Sequence, residues 1–335
     1  MRPLAELKIE LTQECPLACV HCSTRSDRFA KVLLPPEVVS RLLHEARSMG
    51  TGNVAFSGGE PLVYSRLVEV LLTASSLEFA STLYTSGLKN NNLEPLNSRD
   101  VSSLVSAGLF RIVFSIHAAN PAIHNSVTGF PSFEPTIQAI NASVSGGLCV
   151  EFHFVPLRRN YAELEGVIDL AARLGVRTVS VLRFVPQGRG ASIRESEDLR
   201  GEDYRRFRKS IRNLRSSRAV DVRLGAPMNI LGLGHTCCDV AQDVVLVNYR
   251  GQVRPCDAFK DIDYPDDIYG SVLEKPLKSV WERSEFLNAA RLLHSERRNA
   301  CKSCPTGCLA QEALHEGGMQ NLVRRSNGQG TITAT

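Results

Sequence analysis

Leu7-Lys8-Ile9-Glu10-Leu11 alternates apolar and polar residues, the period-two pattern of a strand with one buried face. Strand-like apolar runs follow at 53–56, 81–85, 110–116, 149–155 and 178–184. Between them, 37–49, 65–75, 99–107, 133–145 and 161–174 space their apolar residues as amphipathic helices do. Pro35-Pro36 precedes the first of these and Gly50 follows it, while Gly175 follows the last. These are helix start and stop signals. Six βα repeats in a row predict an α/β fold, a parallel sheet with helices outside. Such a sheet lies open or curls into an incomplete barrel, and its chemistry belongs at the carboxyl ends of the strands.

The unusual residues fall at those ends. After the first strand comes Cys15-Pro16-Leu17-Ala18-Cys19-Val20-His21-Cys22, three thiols in eight residues. After the second comes Ser57-Gly58-Gly59-Glu60-Pro61, and after the third Thr85-Ser86-Gly87. The fourth ends in Ser115-Ile116-His117, the fifth carries His153 and the sixth Arg183. Taken alone, the thiols fit a metal or cluster site or a disulfide loop. A structural zinc site needs four ligands, for which only His21 is at hand locally.

The pattern changes near position 200. Residues 203–217 read as a helix carrying Arg205, Arg206, Arg208, Lys209, Arg212 and Arg215, either a solvated face or a dock for an acidic partner. Residues 244–256 read as a hairpin turning at Arg250-Gly251. Residues 277–293, with the only tryptophan, Trp281, read as a helix. The expected organisation is a barrel over 1–200, a basic linker helix over 201–225, a small cysteine-rich domain over 226–317 and a flexible tail over 318–335.

Composition narrows the function classes. The 335 residues are 43% hydrophobic and 22% charged, ordinary for a globular protein. The net charge of +4 is too mild to argue for nucleic acid. No apolar run approaches the roughly 20 residues that span a bilayer, and the N-terminus lacks a signal-peptide core. A cytoplasmic setting follows, in which thiols stay reduced and ten cysteines point to metal or clusters. Cys149, on the fifth strand, is expected to be a core thiol.

Cys15-x3-Cys19-x2-Cys22 after a first strand, with Gly58-Gly59-Glu60-Pro61 after the second, resembles the radical S-adenosylmethionine superfamily. His21, before the last cysteine, matches the aromatic position of its motif. The resemblance implies a partial, TIM-like (β/α)6 barrel whose three cysteines hold a 4Fe–4S cluster, with the open iron chelating S-adenosylmethionine. It also implies cofactor contacts for Gly58, Gly59, Glu60, Thr85, Ser86, Ser115 and His153. Ser86 stands where relatives often carry Asn, and His117 where an Asp is common. His117 and Arg183 are candidates for substrate-side groups. Glycines let backbone approach a ligand closely, and Glu60 would either contact the ammonium or orient its loop.

A second set, Cys238, Cys256, Cys301 and Cys304, resembles the auxiliary-cluster module of the SPASM and Twitch subfamilies. The full SPASM form has a longer run and holds two clusters, whereas here only Cys308 follows and Cys237 adjoins Cys238. One auxiliary 4Fe–4S cluster is expected, with a second, incompletely ligated cluster or a four-thiolate zinc ribbon as the alternatives. The expected activity is reductive cleavage of S-adenosylmethionine and hydrogen abstraction from a ribosomal peptide, leading to cross-linking, oxidation or epimerisation. The alternatives are oxidation of a small molecule such as an amino sugar or cofactor precursor, or a non-enzymatic electron carrier or metal-binding scaffold. Expected partners are the substrate, a reductant such as flavodoxin or ferredoxin, and a separate peptide-recognition protein, since the first strand begins near position 7.

Overall fold

A computed structural model describes residues 3–215, 220–225, 240–260 and 270–298. The six expected strands are present as β1 (Glu6–Thr12), β2 (Asn53–Gly58), β3 (Ala80–Thr85), β4 (Arg111–Ser115), β5 (Cys149–Phe154) and β6 (Thr178–Val181). Each pairs parallel to the next. The helices between them are α1 (Pro36–Ser48), α2 (Leu67–Ser76), α3 (Ser98–Ser106), α4 (Pro121–Thr128), α5 (Phe133–Ser145) and α6 (Leu164–Arg173). The sequence reading missed α4, an eight-residue helix too short to show a period. Its ends are nonetheless signalled: Asn120 caps the N–H groups of Ala122 and Ile123, and Gly129 closes it at φ +78°.

The sheet extends past both expected edges. After the short helix α7 (Arg194–Glu197) and then α8 (Gly201–Arg215), β7 (Asp221–Leu224) pairs parallel to β6. At the other edge, β8 (Val244–Val247) pairs parallel to β1, and β9 (Val253–Arg254) pairs antiparallel to β8. The order is β7-β6-β5-β4-β3-β2-β1-β8-β9. The arginine-rich helix is therefore a crossover, not a linker. Phe207, Ile211 and Leu214 form an apolar stripe along it and are buried in the main core. The 244–256 hairpin adds β8 and β9 to the same sheet. It turns where expected, with Gly251 at φ +76° and the Asn248 side chain accepting from the N–H groups of Arg250 and Gln252. The helix expected over 277–293 is two, α9 (Leu277–Arg283) and α10 (Glu285–Arg298), broken at Ser284. There the backbone turns extended and the serine hydroxyl accepts the N–H of Leu287.

Alternation explains the two faces of the sheet. On β1, Leu7, Ile9 and Leu11 are fully buried in the core beneath the helices, while Lys8 projects to the other face and lines a cavity. Ser57, Tyr84, Ser115, His153, Ser180 and Arg223 line the same cavity from β2 to β7. Side chains of so many strands meet around one space only if the sheet curls, so the architecture is a partial barrel with a polar interior. Cys149 is the exception to its expectation: it opens β5 and is exposed, and the buried position is Val150. No described helix is long and apolar enough to cross a membrane.

Candidate active site

The cavity, about 770 Å³, lies at the carboxyl ends of the strands, where the sequence pattern places chemistry. Cys15, Cys19 and Cys22 all line it. Their loop is held from three directions. Cys15 donates its N–H to the carbonyl of Asp27 at 2.9 Å, and the N–H groups of Ala18 and Val20 reach the end of α4 at Thr128 and Val127. From beyond β6, Arg189 donates its side-chain Nε–H to the Cys19 carbonyl and its backbone N–H to the Cys22 carbonyl, each at 2.9 Å. Gly188 makes that approach feasible: at φ +60°, a Cβ there would sit 2.4 Å from the Cys22 carbonyl oxygen.

The loop after β2 forms the adjacent wall, and its glycines pack closely against the start of the cysteine loop. A Cβ on Gly58 (φ +136°) would lie 2.4 Å from the Thr12 carbonyl oxygen, and one on Gly59 2.2 Å from that of Glu14. The missing side chains thus let this loop press against the backbone leading into the cysteines, although both glycines also line the cavity. Glu60 is 1% exposed and its carboxylate accepts four hydrogen bonds. They come from Thr85 Oγ1 (2.6 Å), Ser86 N (2.7 Å), Ser86 Oγ (2.6 Å) and Leu62 N (3.1 Å). Of the two roles expected for Glu60, this geometry is that of orienting the loops. Burial raises its carboxyl above the usual range, against the pull of those donors.

Three imidazoles stack beside the thiols. His21 meets His117 edge-on with ring centroids 4.8 Å apart, and His117 lies 5.5 Å from His124 on α4. His124 Nδ1 accepts the backbone N–H of His117 at 3.3 Å, which leaves the proton of a neutral ring on Nε2. Burial pushes His21 and His124 down to about 4 and His117 well below its usual value, so the stack is neutral. Nδ1 of His21 and of His117 are buried and lack a hydrogen-bond partner among the described residues. His153 packs against Tyr84 at 5.1 Å, and Ser115 faces the cavity from the end of β4. Arg183 lines the cavity from just beyond β6, which is shorter than expected.

The opposite wall follows β9. Cys256, Asp257 and Lys260 line the same cavity as the first three thiols. Asp257 pairs with Lys8 at 2.7 Å and with Lys260 at 3.1 Å, and Lys260 also reaches the buried Glu10 at 2.8 Å. Gln187 donates to the Asp257 carbonyl at 2.8 Å, tying this wall to the segment after β6. The two lysines hold Asp257 well below the usual carboxylate range. Lys8, Asp257 and Lys260 escaped the sequence reading, though a lysine on the polar side of an alternating strand was a visible signal. The expected ligands Cys237, Cys238, Cys301, Cys304 and Cys308 lie outside the described residues, as does the 318–335 tail.

The donor set fits an iron–sulfur cluster with S-adenosylmethionine. Burial, together with the neighbouring thiol charges and Glu60, raises Cys15 well above its usual range and Cys19 to about 12. Thiols so placed ionise together when a metal centre compensates their charge. The unpartnered imidazole nitrogens and the hydroxyls of Thr85, Ser86 and Ser115 offer polar contacts beside them. The cavity volume is in the usual range for a cofactor site.

Comparison with known proteins agrees. Residues 9–171 match the model of the radical SAM superfamily, and residues 237–305 match that of an iron–sulfur cluster-binding domain, SPASM. A probable GTP 3′,8-cyclase of Saccharolobus solfataricus is 31% identical over 207 residues, 61% of this chain and 65% of the cyclase. The chain thus spans less than two thirds of the length of the cyclases it matches. The mycofactocin maturase MftC of Mycolicibacterium smegmatis is 27% identical over 304 residues, 88% of this chain and 74% of that protein. Among solved structures, Streptococcus suis SuiB bound to S-adenosylmethionine shares the fold (TM-score 0.73, 18% identity, 95% of this chain and 75% of SuiB). So does anSMEcpe with bound AdoMet (TM-score 0.67, 16% identity, 97% of this chain and 99% of that one). The two matched domains bring 4Fe–4S clusters and S-adenosylmethionine as cofactors. The chain belongs to the radical S-adenosylmethionine superfamily and carries a SPASM iron–sulfur domain.

Proposed function

We propose that this radical S-adenosylmethionine enzyme modifies a ribosomally made peptide by hydrogen abstraction, leading to a cross-link, an oxidation or an epimerisation. The observation that carries the reading is that Cys256 and the Cys15, Cys19 and Cys22 thiols face one cavity. In this reading Cys15, Cys19 and Cys22 hold the first cluster. Cys256 joins Cys238, Cys301 and Cys304 around one auxiliary cluster, and the substrate lies between the two. When bound, the first cluster and S-adenosylmethionine supply a one-electron cleavage that yields a 5′-deoxyadenosyl radical. The protein's own part is positioning. Glu60 fixes the loops that carry Gly58, Gly59, Thr85 and Ser86 against the cofactor. His21 and His117 offer their open nitrogens, and Ser115 and His153 border the same space. Arg183 faces the substrate side with the Lys8–Asp257–Lys260 network.

Two comparisons support a peptide. The match to the maturase MftC runs through most of the chain, 88% of it. The SuiB fold also takes a peptide, since that protein is known bound to its precursor peptide SuiA. In α8, Glu202 engages Arg205 and Arg206, which favours a solvated helix face over a dock for an acidic leader. The cyclase relatives favour a second reading, a nucleotide-sized cofactor precursor as substrate.

Anaerobic reconstitution tests the chemistry. About eight irons and eight sulfides per chain are expected, with 5′-deoxyadenosine formed on adding dithionite and S-adenosylmethionine. Four of each would remove the auxiliary cluster. Co-expression with short cysteine- or aromatic-rich peptides encoded beside the gene tests the substrate. Loss of two hydrogens from such a peptide by mass spectrometry supports a cross-link or oxidation, and proton exchange with deuterated solvent supports epimerisation. Turnover of GTP with unchanged peptides would move the assignment to the second reading.

A further inference from the structure

Directly after the cysteine loop, the chain exposes an apolar patch that no packing need explains. Phe29 is 80% exposed, Leu33 48% and Val32 39%. Large apolar residues seldom cluster on a surface without an interaction to serve. The patch is also built to keep its shape. Asp27 accepts the N–H groups of Phe29 (2.7 Å) and Ala30 (2.9 Å), fixing the tip. Arg28 donates to the Pro16 carbonyl and lies over the Phe130 ring at 4.1 Å. The Gln13 N–H bonds the Val32 carbonyl at 2.9 Å, closing the base.

Charge and connection define what fits there. Arg25 is exposed, and Lys31, its side chain 74% exposed, pairs with Glu14 at 3.3 Å. Arg25, Arg28 and Lys31 outnumber Glu14 and Asp27 around the apolar centre, so the rim carries a net positive charge. That is the layout of a transient interface, an apolar centre inside a charged border. The patch is wired to the thiol loop by the Arg28 bond to the Pro16 carbonyl and by the Cys15 N–H, which donates to the Asp27 carbonyl at 2.9 Å. On the other side Thr24 Oγ1 lies 3.4 Å from Cys22 Sγ.

Resting on the reading of Cys15, Cys19 and Cys22 as cluster ligands, we propose that Phe29, Val32 and Leu33 with Arg25 and Lys31 form the docking surface for an acidic one-electron donor protein. The donor is oxidised by one electron and the cluster reduced by one, and the cleavage of S-adenosylmethionine consumes that electron. Docking here places the donor at the segment continuous with the ligand loop. The opposite charges steer the encounter.

The test uses the reconstituted full chain and an acidic flavodoxin reduced to its hydroquinone. Stopped-flow absorbance follows cluster reduction over a range of salt. Fluorescence anisotropy of labelled flavodoxin follows binding. In the double variant Phe29→Ser, Lys31→Gln, the second-order rate is expected to fall about tenfold with a flatter salt dependence, and the Kd to rise to match. Arg25→Gln alone should give part of both effects. Dithionite, which needs no docking surface, should still drive 5′-deoxyadenosine formation at the parental rate. Unchanged flavodoxin kinetics in the variants overturn the proposal. So does an equal loss with dithionite, which would make the loop a support for the cluster. A dimer lost in the variant with flavodoxin kinetics intact would assign the patch to a second copy. The anisotropy titration also works on cluster-free protein. A chain that takes up no iron therefore counts against the proposed chemistry and not against this surface.

Discussion

The two walls of the cavity hold their carboxylates by opposite means. On the β2–β3 wall, Glu60 is enclosed by four neutral hydrogen-bond donors, and burial leaves its carboxyl above the usual range. On the β1–β9 wall, Asp257 sits between Lys8 and Lys260 and is held below that range, with about half of its side chain (47%) open to the cavity. Water in the cavity screens that attraction, so it is weaker than in a fully enclosed pair. The first wall is frozen by bond directions, because every lone pair of Glu60 is committed to a neighbouring loop. The second is a set of paired charges lining the same space. In the proposed reading, the first wall supports the cofactor side and the second meets the charge of a substrate.

The largest effect should come from breaking the frozen wall. Glu60→Ala leaves buried donors on Leu62, Thr85 and Ser86 without acceptors, at a cost of about 4 kcal/mol in denaturant unfolding. Glu60→Gln keeps the shape but turns an amide toward Ser86, and should cost about 2 kcal/mol. Cofactor-dependent 5′-deoxyadenosine should be lost in the first. A Glu60→Ala protein that unfolds like the parent would mean that the four bonds are not the staple they resemble. Gly58→Ala should follow, at about 2–3 kcal/mol, because its Cβ would meet the Thr12 carbonyl oxygen in a left-handed conformation.

The frozen wall was the more legible of the two in the sequence. Strand alternation, the cysteine spacing and the glycine pair each follow from local rules, so β1 to β5 and the rim residues from Cys15 to His153 fall where the pattern puts them. The ion-pair wall depends on contacts between distant positions. Lys8 and Asp257 are 249 residues apart, and no local rule says that β8 will pair with β1. The same holds for β7, whose pairing with β6 turned a supposed linker helix into a crossover. There the signal existed in Phe207, Ile211 and Leu214 but was outweighed by the arginines around them. His124 was missed because α4 is short and shows no period.

The imidazole stack gives a pH test that bears on the frozen side. His124 sits at about 4 against an ordinary 6.5, so its charged form is disfavoured in the native state. As pH falls from 6.5 towards 4, the unfolded chain takes up a proton that the folded chain refuses, and stability falls; above 6.5 neither state binds it. For this one group the loss by about pH 5 is about 2 kcal/mol. His124→Gln, which keeps an acceptor for the His117 N–H, should flatten the acid limb of the unfolding midpoint by one histidine's worth. An unchanged acid limb would show that His124 protonates in place. His21 and His117 contribute to the same limb and remain in the variant.

The smallest effect is expected on the charged wall. Asp257→Asn removes the charge shared by Lys8 and Lys260, but Glu10 still pairs with Lys260 at 2.8 Å. With the site half open to solvent, the loss should be about 1 kcal/mol at low salt and less at high salt. Glu60 variants should show no such salt dependence, since their partners are neutral. A double-mutant cycle with Lys8→Met isolates the Lys8–Asp257 pair: the coupling should shrink as salt rises. A coupling that stays constant with salt would place this pair in the same frozen class as Glu60, and the contrast between the walls would then rest on position alone.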